Sequence, residues 1–202
     1  MTWQDIIRLH VAGPSGQADE LVELGWSDVP ESLSELAERM HVDLDPHFPV
    51  EIAPSWRGAR ALPKLKGRRG NRIRLGGALA ESFSAEALEA VLAHELAHLK
   101  CRHWELLLLG CVLAALGGVS LGLALHVPEV ARSALGGLVL VGGFVGMSWA
   151  AEFEADGVAA NYVGHSIVRT MLRELRVLRF RRWPELTHPT DSLRLKHLDA
   201  TK

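Results

Sequence analysis

The sequence predicts a mainly α-helical protein with a small β element, interrupted by a two-helix transmembrane hairpin. Three observations support this prediction. Residues 94–98 carry a motif with helical spacing, residues 71–75 alternate between polar and apolar side chains, and two apolar segments, 106–125 and 133–151, contain no charged residue or histidine. These features divide the 202 residues into four parts. These parts are residues 1–49, 50–103, 104–151 and 152–202.

The first part is acidic, and helices are predicted near residues 17–25 and over 31–41. Residues 1–50 contain two Arg against ten Asp and Glu. The simplest interpretation of this charge is a solvated helical face, and the alternative is a surface that binds a protein partner. One side of the second predicted helix is apolar and is expected to pack against the rest of the protein. This side carries Leu33, Leu36, Ala37 and Met40.

A basic section follows an extended segment that is predicted at residues 50–52. Residues 57–74 contain eight Arg and Lys, residues 67–70 predict a loop, and Asn71–Leu75 predicts an edge strand. The basic section either contacts anionic lipid head groups or is a solvated loop. Nucleic-acid binding is not expected, because the chain has no recognisable motif for it and a net charge of −2.

A His-Glu-x-x-His motif occupies residues 94–98, as His94-Glu95-Leu96-Ala97-His98. On a helix, the two imidazoles lie one turn apart on one face and can bind the same Zn²⁺ ion, with Glu95 beside them as a general base. Ser84 is a predicted N-cap, and an apolar stripe runs through the motif, so we expect a helix here. The stripe consists of Leu88, Val91, Leu92, Leu96 and Leu99. The alternative is a chance match in a chain with ten histidines.

A catalytic zinc ion needs a third protein ligand and an open fourth position. The best candidate is Glu152, in the segment 151–156 of a second predicted helix. Glu152 and Asp156 share a helix face, so that one carboxylate can bind the metal while the other holds a ligand histidine through its free ring N–H. The alternative is a solvated acidic face, which fits Glu154 better than this pair.

The two apolar segments are each long enough to cross the roughly 30 Å hydrocarbon core of a bilayer as a helix. The linker 126–132 contains Pro128 and predicts a hairpin, which places Trp104 and Trp149 at the same membrane interface. The alternative is a pair of buried helices in a soluble bundle. A domain of 202 residues has little capacity to cover two helices that are apolar on every side.

Charges on either side of the hairpin predict its orientation. The flanking segments carry many Arg and Lys, whereas the linker carries only Arg132, so the positive-inside rule places the zinc site and both termini on the cytoplasmic side of the cell (inner) membrane. The flanking charges are Lys100, Arg102, Arg169, Arg173, Arg176, Arg179, Arg181 and Arg182. No signal peptide is expected from residues 1–5, and the two cysteines are expected to be reduced thiols.

The last part predicts an amphipathic helix, followed by a His-Pro tail. Its basic row lies either along the membrane surface or in solvent. The row is Arg169, Arg173 and Arg176, and the opposite face carries Val168, Leu172, Leu175 and Leu178. The tail contains Thr187-His188-Pro189, and Arg194 follows within two turns.

The order of these motifs resembles the HtpX-type membrane metalloproteases and their relatives, the CAAX prenyl proteases. The resemblance covers about residues 50–202, although the HtpX-type proteins have two further N-terminal spans that have no counterpart in this sequence. It implies a zincin-like domain in which Glu152 is the third ligand and Asp156 supports the site. It also implies that His188 helps to stabilise the oxyanion and that Arg194 fixes the tail in place.

The same resemblance implies that an edge strand beside the active-site helix binds the substrate backbone by strand addition. The sequence assigns this role to Arg72, Ile73 and Arg74. The implied activity is zinc-dependent hydrolysis of peptide bonds in membrane or misfolded proteins at the cytoplasmic face. The alternatives are CAAX-type prenyl-protein processing and a non-catalytic membrane adaptor with a structural zinc.

Overall fold

The computed structural model describes residues 3, 5–6, 21–56, 58–64, 70–126, 128–178 and 187–201. Within these ranges the chain is mainly α-helical with a small β-sheet, as the sequence predicts. The strands are β1 (Val22–Leu24), β2 (Val50–Ala53), β3 (Ala59–Leu62) and β4 (Arg72–Gly76). The helices are α1 (Glu31–Met40), α2 (Gly77–Ser82), α3 (Ala85–Lys100), α4 (His103–Ala124), α5 (Glu129–Val163), α6 (His165–Leu178) and α7 (Asp191–Ala200).

The sheet has the strand order β1-β2-β4-β3. β1 is antiparallel to β2, β2 is parallel to β4, and β4 is antiparallel to β3. The helix expected near residues 17–25 is therefore wrong over 22–24, where backbone pairing with β2 overrides the local pattern. Residues 17–20 lie outside the described part of the chain.

The prediction that Arg72, Ile73 and Arg74 form a sheet edge is wrong. They belong to β4, which pairs on both sides, and the edge strand next to it is β3. The side chains fit a position inside the sheet: Ile73 is fully buried, and both arginines form ion pairs with a residue of the neighbouring strand. Glu51 of β2 lies 3.1 Å from Nη1 of Arg72 and 2.8 Å from Nη2 of Arg74.

Asp45 completes this charged cluster at the sheet. Its Oδ1 accepts hydrogen bonds from the backbone N–H groups of His47 and Phe48, at 3.0 and 3.1 Å, and its Oδ2 lies 3.3 Å from Arg72. The carboxylate is 1% exposed. Burial acts to raise its pKa, but these hydrogen bonds and the Arg72 cation outweigh burial and lower it.

Helix α3 lies in the core and positions the motif at residues 94–98. It begins where expected, because the Ser84 hydroxyl accepts a hydrogen bond from the Ala87 N–H at 3.2 Å. Every residue from Ala90 to Ala97 is buried. The helix packs against α5 and α6, and β3 lies beside it, so the motif is held between the sheet and the C-terminal helices.

Helices α4 and α5 pack against each other, and both are long and apolar enough to cross a membrane. Their large side chains are mostly exposed, with 61% for Leu116 and 72% for Leu138. A Cβ added to Gly118 would lie 2.8 Å from the Cα of Gly136, so glycine permits the close approach of the two helices. Helix α5 extends beyond its apolar segment and carries Glu152 to the side of α3.

The predicted amphipathic helix is present as α6. Val168 and Leu172 are fully buried, while Arg173 and Arg176 are exposed. Arg169 forms an ion pair with Asp199 of α7, so only part of the basic row is left to face a membrane or solvent. Arg179, Arg181, Arg182, Arg57 and residues 65–69 of the basic section lie outside the described residues.

Candidate metal centre

The imidazoles of His94 and His98 face each other on one side of α3. Their Nε2 atoms are 3.1 Å apart, and their ring centroids are 4.7 Å apart. His94 is 6% exposed, so it is almost completely buried, and His98 is partly exposed. The helical repeat therefore directs two nitrogen donors toward one point.

Glu152 of α5 supplies a third donor at the same point. Its Oε2 lies 3.5 Å from Nε2 of His94, and its Oε1 lies 3.5 Å from Nε2 of His98. A tetrahedral zinc ion with ligands at about 2.0–2.1 Å requires neighbouring donors about 3.3 Å apart. The closest contacts between the three side chains are 3.1 to 3.5 Å, with each imidazole nearest to a different oxygen of Glu152, so two imidazoles and one carboxylate of this spacing fit Zn²⁺.

The carboxylate of Glu152 also has an oxygen that a metal would satisfy. Its Oε2 is buried and accepts no hydrogen bond from the described residues, although Nη1 of Arg194 lies 3.2 Å away as an ion-pair partner. The Arg194 cation offsets part of the cost of burying this carboxylate, and a metal ion bound to Oε2 would occupy an acceptor position that no hydrogen bond from the described residues fills. This observation supports the assignment of Glu152 as a ligand.

Asp156 and Arg194 lie directly behind His94. Oδ1 of Asp156 is 3.0 Å from Nδ1 of His94 and can accept its N–H, which leaves Nε2 for a metal. Arg194 donates to both carboxylate oxygens of Asp156, and its Nη1 lies beside Glu152. Arg194 is 3% exposed. Arg194 therefore fixes the carboxylates of both Asp156 and Glu152 next to His94, and these contacts also hold α7 in place.

These charges determine the proton affinity of His94 in the metal-free protein. Burial and the Arg194 cation both act to lower the pKa of His94. The contacts with the carboxylates of Asp156 and Glu152 outweigh them and raise that pKa to about 9. The pKa of Arg194 is also raised, because the attraction of Asp156 and Glu152 outweighs the effect of burial. At neutral pH a metal ion must therefore displace a proton from His94.

His103 supports His98, and sequence reasoning did not assign it a role. Its Nδ1 lies 2.8 Å from Nδ1 of His98, and its Nε2 lies 3.3 Å from Oε2 of Glu154. The imidazole of His103 is buried. The only sequence signal for this contact is that His103 follows His98 by five residues. Helical spacing does not predict the contact, because α3 ends before His103.

His188 approaches the centre from the C-terminal tail. Its Nε2 lies 3.2 Å from Oε1 of Glu152, and its Nδ1 lies 2.8 Å from the hydroxyl oxygen of Thr187. If the Thr187 O–H donates to Nδ1, the imidazole hydrogen lies on Nε2. The hydrogen then points to the side of the centre where Glu152 lies.

A cavity of about 930 Å³ lies in front of these residues. Glu95, which is 7% exposed, contributes to its wall together with the three candidate ligands. Edge strand β3 forms another part of the wall through Ala59, Arg60 and Ala61. The cavity is therefore large enough for several residues of an extended peptide, and its wall includes both the candidate metal centre and a sheet edge.

Comparison with known proteins places this geometry in context. The model of a family described as Peptidase family M48 matches residues 29–202. The crystal structure of Ste24p from S. mikatae has a similar fold, with a TM-score of 0.60 and 18% sequence identity. The similarity covers 96% of this chain and 55% of that chain, so this chain spans about half the length of Ste24p. No curated protein sequence matches the chain.

Proposed function

Since the chain belongs to peptidase family M48, we propose that it is a membrane-embedded zinc metalloendopeptidase, with His94, His98 and Glu152 as the zinc ligands. The observation that carries this proposal is the convergence of three side chains beside a large cavity: the Nε2 atoms of His94 and His98 lie 3.1 Å apart, and each lies 3.5 Å from one of the two carboxylate oxygens of Glu152. Zinc bound there would supply a Lewis acid for the scissile carbonyl and a nucleophilic water at neutral pH.

The residues around the three proposed zinc ligands have distinct roles in this proposal. A carboxylate oxygen of Glu95 takes the proton of the attacking water and later gives it to the leaving amine. Nε2–H of His188 donates to the carbonyl oxygen as negative charge develops on it. Asp156 holds His94 in the tautomer that leaves Nε2 free, and Arg194 holds Asp156.

We assign substrate binding to β3 in place of Arg72, Ile73 and Arg74. β3 is one of the two edge strands of the described sheet, it lies beside α3, and its residues line the cavity. A peptide that adds to this edge as a further strand runs past the metal centre with its backbone bonded to the sheet. This mode of binding depends on main-chain hydrogen bonds, so it favours unfolded segments over folded ones.

The proposed location is the cell (inner) membrane, with the centre and both termini on the cytoplasmic side. Helices α4 and α5 cross the bilayer, and the flanking segments carry Lys100, Arg102, Arg173 and Arg176. At the opposite end of the hairpin the sequence has a single Arg or Lys, Arg132, in the first turn of α5. The substrates in this proposal are membrane proteins or misfolded proteins that reach the cytoplasmic face. The acidic residues 1–49 are proposed as a further surface for a protein partner.

Exchange of one carboxylate tests the proposed activity. Glu95→Gln keeps the size of the side chain but removes the base, so the detergent-purified variant should bind zinc as the wild type does and lose cleavage of casein. Glu86→Gln is the matched control, because Glu86 lies on the same helix and is exposed. Undiminished cleavage by pure Glu95→Gln would refute the assigned role.

A second candidate function is CAAX-type processing of prenylated proteins. The observation in its favour is that the cavity wall includes Leu107 and Phe144 of the hairpin, so the cavity continues from the metal centre to apolar helices. A competition between a fluorescent farnesylated peptide and an unmodified, unfolded membrane protein separates the two functions. Preferential cleavage of the farnesylated peptide would favour prenyl-protein processing.

A further inference from the structure

A second group of potential metal ligands lies beside the first and shares no residue with it. Cys101 follows the end of α3, His103 begins α4, and Glu154 lies on α5. The sulfur of Cys101, an imidazole nitrogen of His103 and a carboxylate oxygen of Glu154 all lie within 4.8 Å of one another. Three parts of the chain therefore direct one donor each to a common point.

The turn between α3 and α4 creates this arrangement. Arg102 has a left-handed conformation, with φ 55° and ψ 37°, and reverses the chain so that Cys101 and His103 lie on the same side. The imidazole of His103 is buried and fixed by the contact of its Nδ1 with His98, which leaves Nε2 facing Glu154 at 3.3 Å. Glu154 is exposed and Cys101 is half-buried, so an ion can enter from solvent.

We propose that Cys101, His103 and Glu154 bind a second divalent cation of the zinc type, and that this ion weakens metal binding at the His94–His98–Glu152 centre. A thiolate, an imidazole and a carboxylate form a donor set that suits Zn²⁺, whereas Mg²⁺ and Ca²⁺ prefer oxygen ligands alone. On binding, the Cys101 thiol releases its proton to solvent and the sulfur lone pair forms the bond to the ion. No oxidant or reductant is required.

A metal ion at one centre lowers the metal affinity of the other, because the two centres are joined by the contact between His98 and His103. A neutral imidazole that binds an ion through Nε2 carries its hydrogen on Nδ1. If both centres were filled in the present geometry, the two Nδ1 atoms would each carry a hydrogen, and these hydrogens would face each other across 2.8 Å. One ring must turn away, and its centre then loses affinity. The second ion would act as an inhibitor of the first centre.

Titration of the full-length protein with Co²⁺ tests for the second site, because a thiolate bound to Co²⁺ gives a charge-transfer band in the near ultraviolet. Metal-stripped wild type in detergent should bind two equivalents, the second weaker than the first, and show this band. Cys101→Ser should bind one equivalent without the band. Cys111→Ser is the matched control and should behave as wild type, because Cys111 lies on α4 away from the cluster.

Two results would overturn the site: a wild type without a thiolate band, or a Cys101→Ser variant that still binds two equivalents. The effect of one centre on the metal affinity of the other is measured separately. The thiolate site should bind Co²⁺ about fivefold or more tightly in Glu152→Ala than in wild type loaded with one equivalent of Zn²⁺. Equal affinities would refute the proposal that an ion at one centre lowers the metal affinity of the other. None of these readouts uses peptide cleavage, so failure of the second site is distinguishable from failure of the proposed activity.

Discussion

Arg194 donates to both carboxylate oxygens of Asp156, from Nε at 2.7 Å and from Nη2 at 2.5 Å. The same carboxylate lies 3.0 Å from Nδ1 of His94. All three side chains are buried, so the charge pair is hidden behind the candidate metal ligand and is held in a low-dielectric environment. The last helix of the chain is thereby connected to a histidine that lies 100 residues earlier.

Loss of the Asp156 charge should weaken zinc binding without removal of a ligand. Asp156→Asn can no longer accept the His94 N–H as a charged partner, and we expect zinc affinity to fall roughly 10- to 100-fold. The melting temperature should also fall, because the buried Arg194 loses one of its two carboxylate partners and keeps only Glu152. Competition with a chromophoric chelator measures the affinity. Asp199→Asn is the control, since Asp199 pairs with Arg169 at the surface. Unchanged affinity in Asp156→Asn would contradict the supporting role.

Loss of the Glu152 carboxylate should remove a ligand. In a Cys101→Ser background, in which a single centre is counted, Glu152→Ala should lose most of its bound zinc during dialysis against a weak chelator, because two imidazoles alone hold Zn²⁺ poorly. Metal analysis by mass spectrometry gives the stoichiometry. Glu129→Ala, at the exposed start of the same helix, should retain one equivalent. If Glu152→Ala binds zinc as tightly as its parent, the third-ligand assignment is wrong.

Acid should destabilise the sheet through Asp45. Since the folded state lowers the pKa of this carboxyl, its contribution to stability is present above the unfolded value of about 3.9 and is lost as the pH falls through the lower folded value. Wild type should therefore have a higher melting temperature than Asp45→Asn from pH 5 to 8, and the difference should shrink below about pH 4. Calorimetry of metal-free protein measures this difference.

Asp43→Asn is the matched control for that experiment, because Asp43 is exposed two residues earlier in the same loop. Its melting temperature should follow that of the wild type across the whole pH range. A difference between wild type and Asp45→Asn that persists undiminished at pH 3 would contradict the assigned pKa direction.

The sequence predicts well those features that follow from local spacing. His94 and His98 lie one turn apart, so any helix brings their side chains together, and Ser84 marks where that helix begins. The two apolar helices are equally evident, because their length and composition need no knowledge of their neighbours. Glu152 is less certain from sequence alone, since its contact with α3 depends on how the hairpin returns the chain.

Features that depend on long-range pairing are predicted poorly. The alternation over residues 71–75 indicates a strand, but its place inside the sheet depends on β2 and β3, which pair with its two sides. Similarly, a three-residue strand such as β1 has too little sequence to outweigh a helical pattern. The contact of His103 with His98 depends on the left-handed conformation of Arg102, for which the residue type gives no signal.

The register of β3 makes a specific prediction about substrate binding. The Gly76 N–H donates to the Gly58 carbonyl, so the hydrogen-bonded pairs of this antiparallel ladder fall at every second residue, and the N–H of Ala61 points away from β4. Ala61→Pro should therefore leave the sheet intact but remove a donor from the edge. One lost hydrogen bond corresponds to a roughly two- to tenfold lower kcat/KM for an unfolded peptide substrate. Ala61→Gly, which keeps the N–H, is the control, and an equal effect of both substitutions would mean that the peptide does not bind as an added strand.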